Sequence, residues 1–147
     1  MADLLVRAAQ SGVRPAFGPL DLALSILPGV FVHENDPKKH CTPSGKSGKA
    51  LTVSQVREFL AAVSHWILAA DGKRIRRKWV AKDFLSALDF FRRVGRIAQA
   101  EDHHPDLHLR GYRNVTIELS THDVAGLTEN DFILAAKINQ LPVELKK

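Results

Sequence analysis

The spacing of apolar residues along the chain predicts two amphipathic helices in its middle part. Apolar residues recur at intervals of three and four from Val53 to Val63, which predicts a short helix over residues 53–64. Thr52 stands just before this segment and suits the N-cap position, where a hydroxyl accepts a hydrogen bond from a free backbone amide. The longest periodic segment, residues 82–101, predicts a second helix.

The apolar residues of the long helix fall on two neighbouring stripes. The first stripe consists of Phe84, Ala87, Leu88, Phe91 and Ala98, and the second of Phe90, Val94 and Ile97. Two stripes predict two partners, of which one is the sheet and the other a second helix, supplied in so small a chain by another copy of the protein. A single wide stripe that faces the core is the alternative interpretation.

Runs of apolar and β-branched residues predict an antiparallel sheet. Residues 66–70 and 74–80 flank an Asp-Gly pair at 71–72, which suits a tight hairpin turn. Residues 115–121 alternate between apolar and polar side chains, as is typical of a half-buried strand, and residues 107–109 form a candidate short strand.

A last helix is predicted after Gly126. Thr128 suits its N-cap, and Asp131 stands at the third helical position, where an acidic side chain can complete the cap. Apolar residues then continue to Leu141. The predicted order is α-β-β-α-β-β-α, which indicates an α+β fold with an antiparallel sheet of three to four strands and helices packed on one face.

Composition divides the chain of 147 residues into two parts. Prolines and glycines concentrate in residues 1–50, which we interpret as an N-terminal extension and linker, and residues 51–147 are predicted to form one domain. Arg7 and Arg14 among leucines and alanines resemble an organellar transit peptide, which would direct the chain to the mitochondrion or plastid. A poorly ordered tail on a cytoplasmic protein is the alternative.

Composition also argues against several classes of function. Cys41 is the single cysteine, so neither an internal disulfide nor a zinc site of paired cysteines can form. No segment approaches the roughly 18 apolar residues of a membrane-spanning helix. The net charge is +5, but aromatic residues do not alternate with the basic ones as a base-stacking surface requires, so we expect no direct contact with nucleic acid.

Histidines cluster where the predicted long helix and the predicted strand end. Imidazole can act as acid and base near neutral pH, so His103, His104 and His122 indicate proton transfer if the fold brings them together. The neighbouring carboxylates, which could orient these rings, are Glu101, Asp102, Asp123 and Asp131. A capping or surface role is the alternative for the adjacent histidine pair. A metal site on His104 and His108 is disfavoured by the intervening Pro105, which prevents helical geometry.

The order of these residues resembles that of the pterin-4a-carbinolamine dehydratase family. The resemblance covers about residues 50–141 and rests on Asp102-His103-His104-Pro105-Asp106, Tyr112, Ser120-Thr121-His122 and the segment 126–131. The segment 107–112 is one residue longer than in the animal form and is similar to that of non-animal members.

The resemblance implies an enzyme, a hydro-lyase that dehydrates 4a-hydroxytetrahydropterin to quinonoid dihydropterin in tetrahydropterin recycling, with no metal or organic cofactor. It implies proton transfer by His103 and His122, a substrate-holding role for His104 and an orienting role for Asp131. For Asp131, helix capping alone is the alternative. The residues that it implies as substrate contacts are Asp102, Pro105, Tyr112 and Thr121.

The resemblance also implies partners other than the pterin. Members of the family associate through the long helix, so we expect a homodimer or homotetramer. Some organellar members assist the assembly of other proteins, and animal members serve as dimerisation cofactors of a transcription factor. A non-catalytic assembly or dimerisation factor with a protein client is therefore the alternative function.

Overall fold

The computed structural model describes residues 38–43, 46 and 48–147. Its first two helices each begin directly after a residue whose side chain forms an N-cap. Thr52 caps helix α1 (Val53–Ala62), since its hydroxyl accepts from the Gln55 amide while the Gln55 side chain accepts from the Thr52 amide at 3.0 Å. Asp83 caps helix α2 (Phe84–Glu101) by accepting from the Ser86 amide at 2.8 Å. The long helix therefore begins two residues later than predicted, because Asp83 serves as its cap.

Within residues 48–147, four antiparallel strands form one sheet. They are β1 (Ile67–Leu68), β2 (Ile75–Val80), β3 (Asp106–Arg110) and β4 (Asn114–Leu119), and they lie in the order β1-β2-β4-β3. Together with helix α3 (Glu129–Asn139), these elements confirm the predicted α+β fold and its element order.

The turn of the hairpin between β1 and β2 is longer than the sequence predicts. Strand β1 has two residues instead of five, because the turn occupies the chain from Ala69 to Arg74. Gly72 adopts a left-handed φ of +68°, a conformation that glycine tolerates without strain. The Asp71 carboxylate then accepts from the Lys73 amide at 3.0 Å and closes the turn.

The core lies between one face of the sheet and the three helices. Strand β4 alternates as predicted, with Val115, Ile117 and Leu119 fully buried and the intervening residues partly exposed. The Trp79 ring of β2 meets the Phe90 ring of α2 edge to face at a centroid distance of 5.1 Å. In the described part of the chain, no helix is long and apolar enough to cross a membrane.

The division of the apolar residues of α2 into buried and exposed ones does not follow the two predicted stripes. The side chains that α2 buries are Ala87, Phe90, Val94, Ala98 and Glu101, a set that draws on both predicted stripes and adds a carboxylate. Phe84, Leu85 and Leu88 remain exposed at the start of the helix. The packing angle of the helix on the sheet decides this division, and the spacing of apolar residues alone does not specify that angle.

Residues 1–37, 44, 45 and 47 lie outside the described part of the chain, and so does the predicted transit peptide. The boundary at residue 50 between extension and domain stays a prediction. Residues 38–43, which precede this boundary, contact α2 and α3. We call them the N-terminal strap.

Truncation of the buried aromatic residue of helix α3 is expected to destabilise the core. Phe132 is fully buried and its ring stacks on Phe59 at a centroid distance of 5.2 Å. We expect Phe132→Ala to lower the free energy of unfolding by about 3–5 kcal/mol, because a large cavity replaces the ring. Val53→Ala, at a position that is 66% exposed, should change it by less than about 0.5 kcal/mol. Chemical denaturation at one fixed protein concentration measures both, and equal effects would contradict this description of the core.

Candidate active site

A buried carboxylate joins three elements at one end of the sheet. Asp131 lies at the third position of α3 and is completely buried. One oxygen, Oδ2, accepts from the Thr128 amide at 2.8 Å and from the Thr121 hydroxyl at 2.9 Å. The other, Oδ1, bonds His103 Nε2 at 2.8 Å. Asp131 therefore caps α3, as the sequence predicts, and also holds a histidine.

His103 reaches this carboxylate because α2 ends abruptly. Asp102 adopts the left-handed conformation with φ +49°, which terminates the helix and turns the chain inward. The His103 amide then donates to the Ala98 carbonyl at 3.1 Å, and the His103 residue is only 8% exposed. With the carboxylate as acceptor, Nε2 is the donating nitrogen of His103, and Nδ1 is the nitrogen that this bond leaves available.

His122 and Thr121 enter the site from the end of β4. The backbones of Thr121 and Gly126 are bridged, with the Thr121 amide donating to the Gly126 carbonyl at 2.8 Å. This bridge closes a short loop that carries His122 at the first position of a 3-10 helix, His122–Val124. Thr121 is buried and its hydroxyl also contacts the Thr128 hydroxyl at 2.7 Å, so the start of the loop is fixed to α3.

These elements surround a cavity of about 120 Å³. Its lining consists of Asp102, His103, His104, Ser120, Thr121, His122, Asp123 and Asn130. The structure thus brings the three candidate histidines to one place. His103 is buried, whereas His104 and His122 are exposed to solvent. His104 Nε2 lies 3.5 Å from the Gln99 side-chain oxygen, at the limit of a hydrogen bond.

Two of the residues implied as substrate contacts lie outside this lining. Pro105 follows the histidine pair and leads into β3, and Tyr112 lies in the turn between β3 and β4. Tyr112 has a φ of +59° and is 56% exposed, with the Arg113 guanidinium 5.2 Å from its ring centre. Their contact with a substrate stays a prediction. His108 lies on β3 opposite Thr116 and is likewise outside the lining of the cavity.

Glu101 has a different role from the one that the sequence suggests. The sequence places it among carboxylates that could orient an imidazole of the cluster, but its oxygens accept from Lys137 Nζ and, at 2.8 Å, from the Cys41 amide. Burial acts to raise the pKa of the Glu101 carboxyl, yet these hydrogen bonds outweigh burial and hold its pKa below the ordinary value. Glu101 follows Ala98 by three residues on the buried face of α2, and that position is the sequence signal that it is buried.

Asn130 is a residue of the cavity that the sequence analysis missed. Its side-chain oxygen accepts from the Thr42 amide and its side-chain nitrogen donates to the Thr42 carbonyl, both at 2.8 Å. Asn130 is 4% exposed. No local pattern indicates this pairing, because it joins residues 88 positions apart.

The arrangement can exchange protons with a bound molecule near neutral pH. One imidazole is buried and oriented by the carboxyl group of Asp131, while two more lie at the same cavity in contact with solvent. Such a set supplies both an acid and a base without a change of pH, which is the requirement for an elimination or addition of water.

Comparison with known proteins identifies relatives of this chain. A family model described as Pterin 4 alpha carbinolamine dehydratase matches residues 49–141. The mitochondrial pterin-4-alpha-carbinolamine dehydratase 2 of Arabidopsis thaliana is 51% identical over 109 residues, which cover 72% of this chain and 58% of that protein. A putative pterin-4-alpha-carbinolamine dehydratase of Methylococcus capsulatus is 39% identical over 106 residues, which cover 72% of this chain and 92% of that protein.

A solved structure shares the fold. The crystal structure of a transcriptional coactivator/pterin dehydratase from Brucella melitensis matches with a TM-score of 0.58 and 34% sequence identity. The match covers 62% of this chain and 96% of the Brucella chain.

Because Asp131 makes several buried hydrogen bonds, we expect removal of its carboxylate to lower the stability of the protein strongly. Asp131→Ala removes a helix cap, worth about 1 kcal/mol, and leaves the buried His103 Nε2 without its acceptor, at about 1–3 kcal/mol. We expect a total loss of about 2–4 kcal/mol in the free energy of unfolding, measured by chemical denaturation. Glu58→Ala, which removes an exposed carboxylate of α1, is the control and should have little effect. A loss below 1 kcal/mol for Asp131→Ala would show that this carboxylate does not hold the three elements together.

Proposed function

The chain belongs to the pterin 4 alpha carbinolamine dehydratase family, a family of hydro-lyases, and on this basis we propose that it dehydrates 4a-hydroxytetrahydropterin by histidine acid–base catalysis. The observation that supports the proposal most directly is the meeting of His103, His104 and His122 at one cavity. The hydrogen bond from His103 to the buried Asp131 adds a fixed orientation for one of these rings.

The reaction needs two proton transfers and no change of oxidation state. A base removes the proton from the ring nitrogen next to the hydroxyl-bearing carbon, and the electron pair of that N–H bond forms a C=N double bond. The C–O bond breaks, and an acid protonates the departing hydroxyl, which leaves as water. The product is the quinonoid dihydropterin. Imidazole groups perform both transfers efficiently because their pKa lies near the working pH.

We assign the two proton transfers to His103 and His122. His103 has its Nε2 proton directed to Asp131, so its Nδ1 is the candidate proton acceptor or donor toward the substrate. His122 lies at the same cavity, on the loop after β4, and takes the complementary role. His104 holds the substrate, and Asp131, buried behind His103, acts as a positioning residue. The mechanism uses side chains alone and invokes no metal or organic cofactor.

We also propose a setting for the reaction. Removal of water from the 4a-hydroxy compound regenerates a reducible dihydropterin, so the activity belongs to tetrahydropterin recycling. The Arabidopsis relative bears a mitochondrial designation, which supports the mitochondrion as the location of this chain.

A second function rests on the exposed face of α2. Phe84, Leu85 and Leu88 are 48%, 75% and 42% exposed, which makes an apolar surface at the start of this helix. Exposed apolar patches commonly mark protein interfaces. The name of the Brucella protein includes a coactivator role, which supports a protein partner for this chain as an addition or alternative to catalysis. We propose that the same face joins copies of the chain into a homodimer or homotetramer.

Substitution of the histidines tests the catalytic proposal. We expect His103→Ala and His122→Ala each to lower kcat by about 10²-fold or more, the usual contribution of a general acid or base. The rate of 4a-hydroxytetrahydropterin dehydration, followed by absorbance against the spontaneous rate, measures the effect. His108→Ala, an exposed histidine outside the cavity, is the matched control and should keep the wild-type rate. A wild-type protein that is folded and yet does not exceed the spontaneous rate would refute catalysis and favour the protein-partner function.

Light scattering tests the proposed association. We expect a dimeric or tetrameric mass at micromolar concentration, and Leu85→Glu should shift the mass toward the monomer because a charge replaces apolar contact area. Val53→Glu introduces the same charge at an exposed apolar position of α1 and should leave the mass unchanged. A monomeric wild type would refute the proposal, and a loss of association in the Val53 variant would place the interface elsewhere.

A further inference from the structure

The N-terminal strap crosses between the end of α2 and the start of α3. On the α2 side, the Cys41 amide donates to Glu101 Oε2 at 2.8 Å and His40 Nδ1 lies 3.1 Å from Glu101 Oε1. On the α3 side, the backbone of Thr42 pairs with both polar atoms of the Asn130 side chain at 2.8 Å. The strap thus holds both helix ends at once.

These two anchoring residues are close in sequence to His103 and Asp131, which are joined by a hydrogen bond. Glu101 precedes His103 by two positions, and Asn130 immediately precedes Asp131. The hydrogen bond between His103 and Asp131 therefore crosses the same seam between the helix ends that the strap spans. Any change in the separation of the helix ends moves these two side chains relative to each other.

The two residues that bind the strap are themselves held in place by the rest of the domain. Glu101 and Asn130 are 7% and 4% exposed, and Lys137 of α3 forms an ion pair with Glu101 across the seam. Both polar atoms of the Asn130 side chain are occupied by the strap, which fixes this side chain at the cavity wall. In its two hydrogen bonds with the Asn130 side chain, the strap uses only the backbone N–H and C=O of Thr42.

We propose that the N-terminal strap is a positioning element of the active site, which acts through Glu101 and Asn130 to hold His103 and Asp131 in their productive arrangement. Glu101 and Asn130 are positioning residues in this account, and neither is assigned a proton-transfer step. The proposal rests on the proposed dehydratase function for its effect on rate. Its effect on the geometry of His103 is independent of that function.

Two substitutions of the exposed residue Thr42 distinguish the effect of the strap from effects on the rest of the fold. Thr42→Ala keeps the backbone N–H and C=O that bind Asn130, and the Thr42 side chain is exposed, so this variant should match the wild type. Thr42→Pro removes the backbone N–H of residue 42, so Asn130 Oδ1 loses the hydrogen bond that this group donates. Because the strap lies outside the core, the Pro variant can release the strap without unfolding the domain.

Cys41 reports directly on docking of the strap. It is the single cysteine of the chain, and burial raises the pKa of its thiol to about 12, with a further contribution from the Glu101 carboxylate. Since the thiolate is the reactive form, a docked strap reacts slowly with Ellman's reagent and a released strap reacts as an ordinary thiol.

The experiment compares full-length wild type, Thr42→Ala and Thr42→Pro by three measurements. They are the rate of Cys41 with Ellman's reagent, the imidazole ¹H–¹⁵N signals of His103, and the kcat and KM for dehydration. We expect the Pro variant to react at least about tenfold faster at Cys41, because its thiol is no longer buried. Its His103 signals should shift, and its kcat should fall about tenfold while KM changes less than about twofold, since misplacement of a catalytic group impairs the chemical step.

The outcomes separate this proposal from the proposed function. If Cys41 is released and the His103 signals and kcat stay at wild-type values, the strap is a cover without a positioning role, and the proposal is overturned. It is equally overturned if Thr42→Pro leaves Cys41 protected, or if Thr42→Ala has the same effects as Thr42→Pro. If the wild type has no dehydratase activity but release of the strap still shifts the His103 signals, the proposed function fails while the positioning role is supported.

Discussion

The site depends on a single buried carboxylate whose hydrogen bonds are all satisfied. Burial of an ionised group is costly unless donors replace the water that it loses, so the Asp131 position constrains every element that supplies a donor. Thr121 comes from the end of β4, Thr128 from the start of α3, and His103 from the segment after α2. The architecture of the cavity follows from the convergence of these three chain segments on one side chain.

The same convergence explains how a small domain can hold a histidine ready for proton transfer. The ends of helices and strands are the places where backbone direction changes, and here the left-handed Asp102 and the bridged Thr121 loop direct side chains into one cavity. The packed core behind them, between the sheet and α2 and α3, keeps these ends in place. Rigid elements thus carry the proposed proton-transfer groups, and His104 and His122 are exposed to solvent at the cavity.

Local signals made much of this arrangement predictable from the sequence. The patterns of apolar and turn residues predicted the three α-helices and the four strands, although β1 is shorter than predicted and the 3-10 helix His122–Val124 was not predicted. Asp131 was recognisable as a capping acid because a cap involves residues only three positions apart. The strap was not recognisable. Its polar, proline-containing sequence is typical of a linker, and its hydrogen bonds to Glu101 and Asn130 include backbone groups of Cys41 and Thr42, which leave no pattern in the side chains. The bond from Cys41 to Glu101 joins residues 60 positions apart, so only the folded chain reveals it.

We propose that the cavity at Asp131 is the pterin site, and a titration with a stable dihydropterin, followed at the histidine side chains, tests this most directly. The ¹H–¹⁵N signals of the seven imidazoles of the chain would report which rings meet the ligand. We expect the signals of His103, His104 and His122 to shift together and saturate, and those of His65 and His108 to stay unchanged. Saturable binding that leaves the three cavity histidines unmoved, or that shifts His108 instead, would contradict it.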